Sequence, residues 1–400
     1  MGSESRLFTR NFALILAANF LLYIGFYLLL PIFPFYLSET FGTDKGTIGI
    51  VLSCYTVAAL VIRPFSGYLL DAFQRKPLYI LSYAIFTIMF GGYIMAWCLT
   101  AFAVMRVLHG LAFGTVTVGG STIVIDILPS ERRGEGLGYY GMANNFAMCV
   151  GPMIGLFLHE AFSFEVIFIT ATAACALGLV CAGLIKTKVR PLVQKPPLSL
   201  DRFILIKGIP GGVALMLLSM PYGLTTTYVA MYAQEIQVDV SSGVFFSLMA
   251  IGIASSRIFS GKLVDRGYTT QLIEGSTFAC VIVFALLALC GWMSQNGASA
   301  GVEALFLGAA LLMGICFGVM FPAYNTFFVS LAPNSQRGTA VSTYLTSWDV
   351  GIGAGLALGG TVVEILGFEV TYALGAALAV ISWLWIRAYV APKYHLWKVR

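Results

Sequence analysis

The stretch Arg63-Pro-Phe-Ser-Gly-Tyr-Leu-Leu-Asp71 returns 194 residues later as Arg257-Ile-Phe-Ser-Gly-Lys-Leu-Val-Asp265, with six of nine positions identical. A second segment, 108–114, resembles 312–318 at an offset of 204 residues. Single matches among glycine and leucine arise easily by chance, but two matches in the same order do not. The chain is therefore predicted to contain two related halves that run in the same direction.

Composition places these halves in a lipid bilayer. The 400 residues are 59% hydrophobic and only 10% charged, whereas soluble domains carry about 25% charged residues. A membrane-spanning helix needs about 20 apolar residues. Apolar runs bounded by charges, proline or glycine predict twelve such spans: 11–37, 46–70, 77–97, 100–127, 135–160, 165–186, 207–233, 242–264, 271–293, 302–330, 337–364 and 368–390.

Charge supports the even number of spans. With the N-terminus in the cytoplasm, 21 of the 23 Lys and Arg fall at cytoplasmic loops or helix ends. Lys45 then lies outside and Arg106 lies within a span. Nine acids fall at the outer side: Glu39, Asp44, Glu160, Glu165, Glu235, Asp239, Glu303, Glu364 and Glu369. The positive-inside rule thus predicts cytoplasmic N- and C-termini in a multi-pass protein of a bacterial-type inner membrane.

The segment 187–206 is the one stretch with the composition of a linker, because it holds three prolines and four basic residues at the midpoint of the chain. It predicts an N-terminal six-helix bundle at 1–186 and a C-terminal six-helix bundle at 207–400. The predicted fold class is an all-α membrane protein of twelve transmembrane helices, with its two bundles related by pseudo-twofold symmetry.

Several function classes lack sequence support. The chain has no P-loop, G-x-S-x-G or H-E-x-x-H motif, so no enzyme activity is predicted. Three histidines are too few for a metal cluster, and the eight cysteines lie in apolar runs without a C-x-x-C pair. The net charge of +5 comes from loop positions and does not indicate nucleic acid. No metal and no cofactor are expected.

The repeated segment also carries a family signature. Gly67, Leu69, Asp71, Arg75 and Lys76 match the loop signature Gly-x-Leu-x-Asp-(Arg/Lys)-x-Gly-(Arg/Lys)-(Arg/Lys) of major facilitator superfamily (MFS) transporters, with Ala72 and Gln74 as departures. The chain resembles this family over essentially its whole length, and most closely its drug and sugar efflux (proton antiporter) members. The resemblance implies the MFS fold, with a substrate site between the halves.

By the same resemblance, a conformational latch is expected at the cytoplasmic ends of the helices. Its glycines would allow close helix approach, and its acids would pair with nearby arginines or with a helix N-terminus. The latch is expected to hold the outward-open state. Its predicted members are Gly67, Asp71, Arg75, Lys76, Arg133, Gly261, Asp265 and Arg337.

Three residues are candidates for proton coupling, because charges inside a membrane are costly and so indicate function. Arg106 and His109 lie three apart on one face of the fourth span. They belong to an Arg-x-x-x-Gly pattern that resembles a signature of proton-coupled members. Arg106 stays charged, whereas His109 can titrate near neutral pH. Asp349, in the middle of the eleventh span, is the preferred proton carrier, and a structural role remains the alternative for each.

Helix-borne polar and aromatic residues are candidates for the substrate cavity. Asn19, Tyr23 and Tyr27 share one face of the first span at a spacing of four, and Asn145 is the counterpart of Asp349 in the 204-residue register. Such a cavity suits a neutral polar or amphipathic solute. The full set is Asn19, Tyr23, Tyr27, Asn145, Tyr222, Thr226, Tyr324 and Asn325.

The fifth span contains Gly151-Pro152-x-x-Gly155, which resembles the antiporter signature G-x-x-x-G-P-x-x-G-G with Ala147 and Leu156 in place of two glycines. This resemblance favours proton-coupled efflux of a small organic solute. The protein is expected to work as a monomer. The alternatives are a proton-coupled importer or uniporter of a sugar or small metabolite, and a lipid or glycolipid flippase. A sensor would need a larger cytoplasmic segment than 187–206 or 393–400 provides.

Overall fold

The structure is a computed structural model, which describes residues 7–129, 132–187, 204–239, 242–297, 301–333 and 337–399. All of its regular elements are helices. They are α1 (Arg10–Leu29), α2 (Phe33–Phe41), α3 (Lys45–Ala72), α4 (Arg75–Ile94), α5 (Leu99–Ile127), α6 (Arg133–Ala161), α7 (Phe164–Leu184), α8 (Ile209–Glu235), α9 (Ser242–Asp265), α10 (Thr269–Gln295), α11 (Val302–Ser330), α12 (Arg337–Trp385) and α13 (Ala391–Trp397).

The number of spans agrees with the prediction. Among the described residues, eleven helical segments are long and apolar enough to cross a membrane, and the last of them runs over Thr339–Trp397. That segment is two spans in sequence, because Gly367 interrupts it with a φ of 84°. Glycine adopts this left-handed conformation without steric cost, so α12 supplies both the eleventh and the twelfth span.

The first predicted span, 11–37, is not one continuous helix. It breaks after Leu29, and α2 begins at Phe33. The break holds Pro31, which has no backbone N–H to continue the helical hydrogen bonds. Beyond the last predicted span, a π-helical turn at Ile386–Val390 joins α12 to α13.

The chain forms two compact units, 1–41 with 54–196 and 42–53 with 197–400. In the first unit, α1 packs against α6 and α7, and α4 packs against α5 and α7. In the second unit, α8 packs against α12, α11 against α9 and α10, and α10 against α12. Residues 188–203 of the predicted linker lie outside the described part of the chain.

Equivalent glycine contacts occur in both units. A methyl group on Gly110 of α5 would collide with the carbonyl oxygen of Tyr55 in α3, and one on Gly314 of α11 would collide with that of Met249 in α9. Gly314 follows Gly110 by 204 residues and Met249 follows Tyr55 by 194. These are the offsets of the two sequence repeats, so each repeated pair packs in the same way in its own unit.

Candidate functional site

Arg106 is a buried charged residue in the middle of the first unit. It lies in α5 and is only 1% exposed. The carbon of its guanidinium lies 4.8 Å from the ring centroid of Phe33 and 4.4 Å from that of Tyr55. Its Nη1 donates a long hydrogen bond of 3.5 Å to the hydroxyl of Tyr93. Aromatic rings and a phenol therefore hold this cation where water is scarce.

His109 lies one turn further along α5 and contacts the same tyrosine. Its side chain is fully buried, and Nδ1 lies 2.7 Å from the hydroxyl of Tyr93. The rings of Phe86 and Phe90 have their centroids 4.3 and 4.6 Å from that of the imidazole. The structure thus joins the predicted residues Arg106 and His109 through a residue that was not predicted.

We name Phe33, Tyr55, Tyr93, Arg106 and His109 the Arg106 cluster. Local sequence explains only part of it, because the spacing of three places Arg106 and His109 on one helix face. Tyr93 is next to last in α4, and a short connection brings it back onto α5. Phe33 begins α2 directly after the proline-containing turn. These aromatic partners come from other helices, so no spacing within α5 could have identified them.

Asp349 lies in α12 of the second unit and is half-buried. Among the described helices it is the acid farthest from any helix end or break, twelve residues after Arg337 and eighteen before Gly367. Its neighbour Trp348 is buried and packs against Tyr222 of α8, with ring centroids 4.9 Å apart. Phe321 of α11 lies 5.1 Å from the same indole. Packing of Trp348 therefore holds this part of α12 in place.

The predicted cavity residues of the first unit are arranged along α1 and α6. Tyr23 and Tyr27 stack with ring centroids 5.9 Å apart, as expected for neighbours on one helix face. Asn19 is buried, and its Nδ2 donates a hydrogen bond of 3.0 Å to the carbonyl of Tyr140 in α6. Asn145 is half-buried, also in α6.

The predicted cavity residues of the second unit differ in exposure. Tyr222 is buried beside Trp348, and the hydroxyl of Thr226 donates to the carbonyl of Tyr222 within α8 at 3.1 Å. Tyr324 is buried and packs near Phe328 of its own helix, at a centroid distance of 6.4 Å. Asn325 is exposed. The structure therefore places Tyr324 and Asn325 in different surroundings, although they are adjacent in sequence.

Two of the predicted latch residues make contacts within the first unit. Nη1 of Arg75, at the start of α4, lies 2.7 and 2.8 Å from the two carboxylate oxygens of Asp126, at the end of α5. Nζ of Lys76 donates to the carbonyl of Gly183 at 2.9 Å. The space beside Gly261 is open. The side chains of the other five lie outside the described residues: Gly67, Asp71, Arg133, Asp265 and Arg337.

The sequence model of the Major Facilitator Superfamily matches residues 15–300 and 276–398. The chain belongs to this superfamily. The expectation of an MFS fold is thereby confirmed, together with the class of protein: its relatives are membrane transporters rather than enzymes. An MFS transporter binds small-molecule substrates and works within the membrane.

Individual relatives are distant but cover most of the chain. The staphylopine export protein of Staphylococcus aureus (strain Mu50) is 23% identical, over 85% of this chain and 86% of its own. The quinolone resistance protein NorA of S. aureus (strain MRSA252) is 22% identical, over 90% of this chain and 92% of its own. The solved structure of the nucleoside transporter NupG (D323A mutant) superposes with a TM-score of 0.75 at 16% identity, covering 94% and 99% of the two chains.

Proposed function

We propose that this MFS transporter exports a small organic solute in exchange for protons, and that Asp349 carries the proton. The direction of transport is supported by the names of relatives that match along most of their length, an export protein and a drug-resistance protein. The predicted antiporter signature at Gly151 and Gly155 supports the same direction.

The position of Asp349 carries the proposal for coupling. Every other acid of the described helices lies within six residues of a helix end or of the break at Gly367. Asp349 alone among them lies deep within a membrane-spanning segment, where a permanent charge is costly. A carboxyl group there gains from being neutral for part of the transport cycle, as a proton carrier must be. Proton binding would then alternate with substrate binding as the transporter switches between its outward-open and inward-open states.

Arg106 has a different part in the proposed mechanism. Arginine side chains carry a permanent positive charge in proteins, so Arg106 acts as a fixed cation in the first unit. Its enclosure by Phe33 and Tyr55 keeps that charge in one place. A fixed cation can attract an acidic group of the substrate or of the protein in one conformation and lose that interaction in another.

The test needs a substrate, which a thermal-shift screen of the purified protein would provide. The screen should include staphylopine, quinolones, sugars, amino acids and siderophore-like acids. The compound that raises the melting temperature most is then added to inside-out membrane vesicles whose lumen has been acidified. Exchange of substrate for protons should raise the luminal pH, reported by a fluorescent pH dye. Acidification on adding the substrate would instead indicate cotransport and contradict the proposal.

Asp349→Asn should remove the substrate-induced proton release while retaining the thermal shift on substrate binding. Glu274→Gln is the matched control, because Glu274 is also a helix-borne acid of the second unit but lies near a helix end, 3.5 Å from Arg387. That control should retain proton release. If Asp349→Asn vesicles still accumulate the substrate against its gradient, Asp349 is not the proton carrier.

A further inference from the structure

The hydroxyl of Tyr93 lies between two side chains of α5 that differ in hydrogen-bonding capacity. Nη1 of Arg106 is 3.5 Å from it and Nδ1 of His109 is 2.7 Å from it. A guanidinium has donors only, so the Tyr93 oxygen accepts from Arg106. Donating the single phenol hydrogen to Nδ1 of His109 then pairs both functions of the hydroxyl, whereas an Nδ1–H would leave that hydrogen without an acceptor. In a neutral imidazole this pairing places the ring proton on Nε2.

The surroundings of Nε2 agree with this tautomer. Nε2 is buried and has no hydrogen-bond partner among the described residues. The rings of Phe86 and Phe90 pack closest to the imidazole. Aromatic surroundings accommodate an N–H group, because it makes a weakly favourable contact with a ring. The surroundings of the imidazole therefore agree with hydrogen on Nε2 and none on Nδ1.

A charged His109 does not fit this site. The titratable groups that pack against it are Tyr93 of α4 and Tyr55 of α3, and the positive charge of Arg106 lies one turn away on its own helix. A proton on Nδ1 would aim a second donor at the Tyr93 oxygen, which already accepts from Arg106. It would also place two positive charges close together in a medium of low dielectric constant.

We infer that His109 is a neutral positioning residue, which orients the Tyr93 hydroxyl so that its oxygen holds the Arg106 guanidinium against Phe33 and Tyr55. His109 thus contributes an acceptor rather than a proton. The inference depends on the proposed function in one respect, which is that Arg106 takes part in transport. The tautomer of His109 follows from the contacts and can be measured without a substrate.

Nuclear magnetic resonance can determine the tautomer, because the chain has only three histidines, His109, His159 and His395. The protein is labelled with ¹⁵N-histidine, placed in lipid bilayers, and compared with His109→Asn to assign the signals. We expect His109 to show an unprotonated Nδ1 and a protonated Nε2, unchanged between about pH 5 and pH 8. A protonated Nδ1, or a signal that titrates in this range, would overturn the inference.

Transport by two variants provides the second measurement. In His109→Asn the side-chain oxygen lies near the place of Nδ1 and accepts from Tyr93, although asparagine cannot titrate. His109→Leu removes the acceptor. We expect His109→Asn to keep most of the transport rate and its pH profile, and His109→Leu to lose about tenfold, the equivalent of about 1.4 kcal/mol. Melting temperatures show whether both variants fold.

Equal loss in the two variants, or a changed pH profile in His109→Asn alone, would contradict a positioning role. Failure of the proposed proton exchange would give a different set of results. In that case Asp349→Asn would continue to transport against a gradient, while the nuclear magnetic resonance signals of His109 would be those expected here.

Discussion

Gly155 of α6 lies directly against the backbone carbonyl of Leu28 in α1, so closely that a methyl group in its place would collide with that oxygen. Gly151, one turn earlier, also lies close to the Cβ of Tyr27 and to the backbone nitrogen of Leu28. The glycines of the predicted antiporter signature therefore allow α1 and α6 to pack backbone to backbone. Close packing of the two helices is the physical role of these glycines in the structure.

Replacing Gly155 with alanine should force α1 and α6 apart. Overpacking of this kind typically costs about 1–3 kcal/mol, so the melting temperature in detergent should fall. Gly141→Ala is the matched control, because Gly141 lies in the same helix with open space beside it. Alanine at 141 should leave the melting temperature unchanged or raise it slightly, since alanine favours helix more than glycine does. Equal melting temperatures for the two variants would mean that the contact with Leu28 is not tight.

Tyr93→Phe should reduce transport much more than Tyr83→Phe. Both tyrosines lie in α4 and are fully buried, and the hydroxyl of Tyr83 donates to the carbonyl of Ala18 at 2.8 Å. Each change removes a buried hydrogen bond, which costs about 1–3 kcal/mol where a partner stays unsatisfied. Only Tyr93→Phe also removes the hydroxyl that contacts both Arg106 and His109. The measurements are the melting temperature and the initial transport rate of each variant, and equal loss of transport would contradict a special part for Tyr93.

The ion pair of Arg75 with Asp126 should stabilise the first unit. Exposed pairs contribute about 0.2–1 kcal/mol, and this pair should lie at the upper end because one guanidinium nitrogen reaches both carboxylate oxygens and the side chains are only 25% and 12% exposed. A double-mutant cycle with Arg75→Ala and Asp126→Ala measures the coupling free energy. Additive effects of the two changes would show that the contact does not contribute to stability.

Asp44 caps the first turn of α3 and should make stability depend on pH. Its carboxylate accepts hydrogen bonds from the backbone N–H of Thr47 at 2.8 Å and from the Thr47 hydroxyl at 2.6 Å. These bonds hold the pKa of Asp44 below its ordinary value, with the side-chain bond as the largest cause. The stabilisation is therefore complete above about pH 4, the pKa of an unfolded aspartate, and is lost as the pH falls through the lower folded value.

Asp44→Ala should accordingly lower the melting temperature at neutral pH, by the equivalent of about 1 kcal/mol for a lost helix cap. The difference from the unaltered protein should shrink as the pH falls below about 4. Thr47→Val removes only the hydroxyl bond and should have a smaller effect. A difference that stays constant down to low pH would show that the charge of Asp44 does not contribute.

The apolar spans were predictable from the sequence because the signal for each of them is local. Hydropathy marks each span, and the break at Gly367 coincides with a glycine between two apolar runs. The turn before Phe33 was missed, although Pro31 was visible, because the apolar run continues through it. For Arg106 and His109, helical spacing predicted that both lie on one face of α5. It could not predict which residues that face contacts.

The partners of those residues were decided by tertiary structure alone. Tyr93, Tyr55 and Phe33 surround Arg106 from three other helices, and Asp126 meets Arg75 from the far end of α5. A sequence pattern reports the period of one helix, whereas the neighbour of a given face depends on how several helices pack. The sequence by itself therefore determined the all-α class and the order of the apolar spans along the chain. The packing of α2, α3 and α4 against α5 decided that a buried charge would be enclosed by aromatic rings and a hydrogen-bonded phenol.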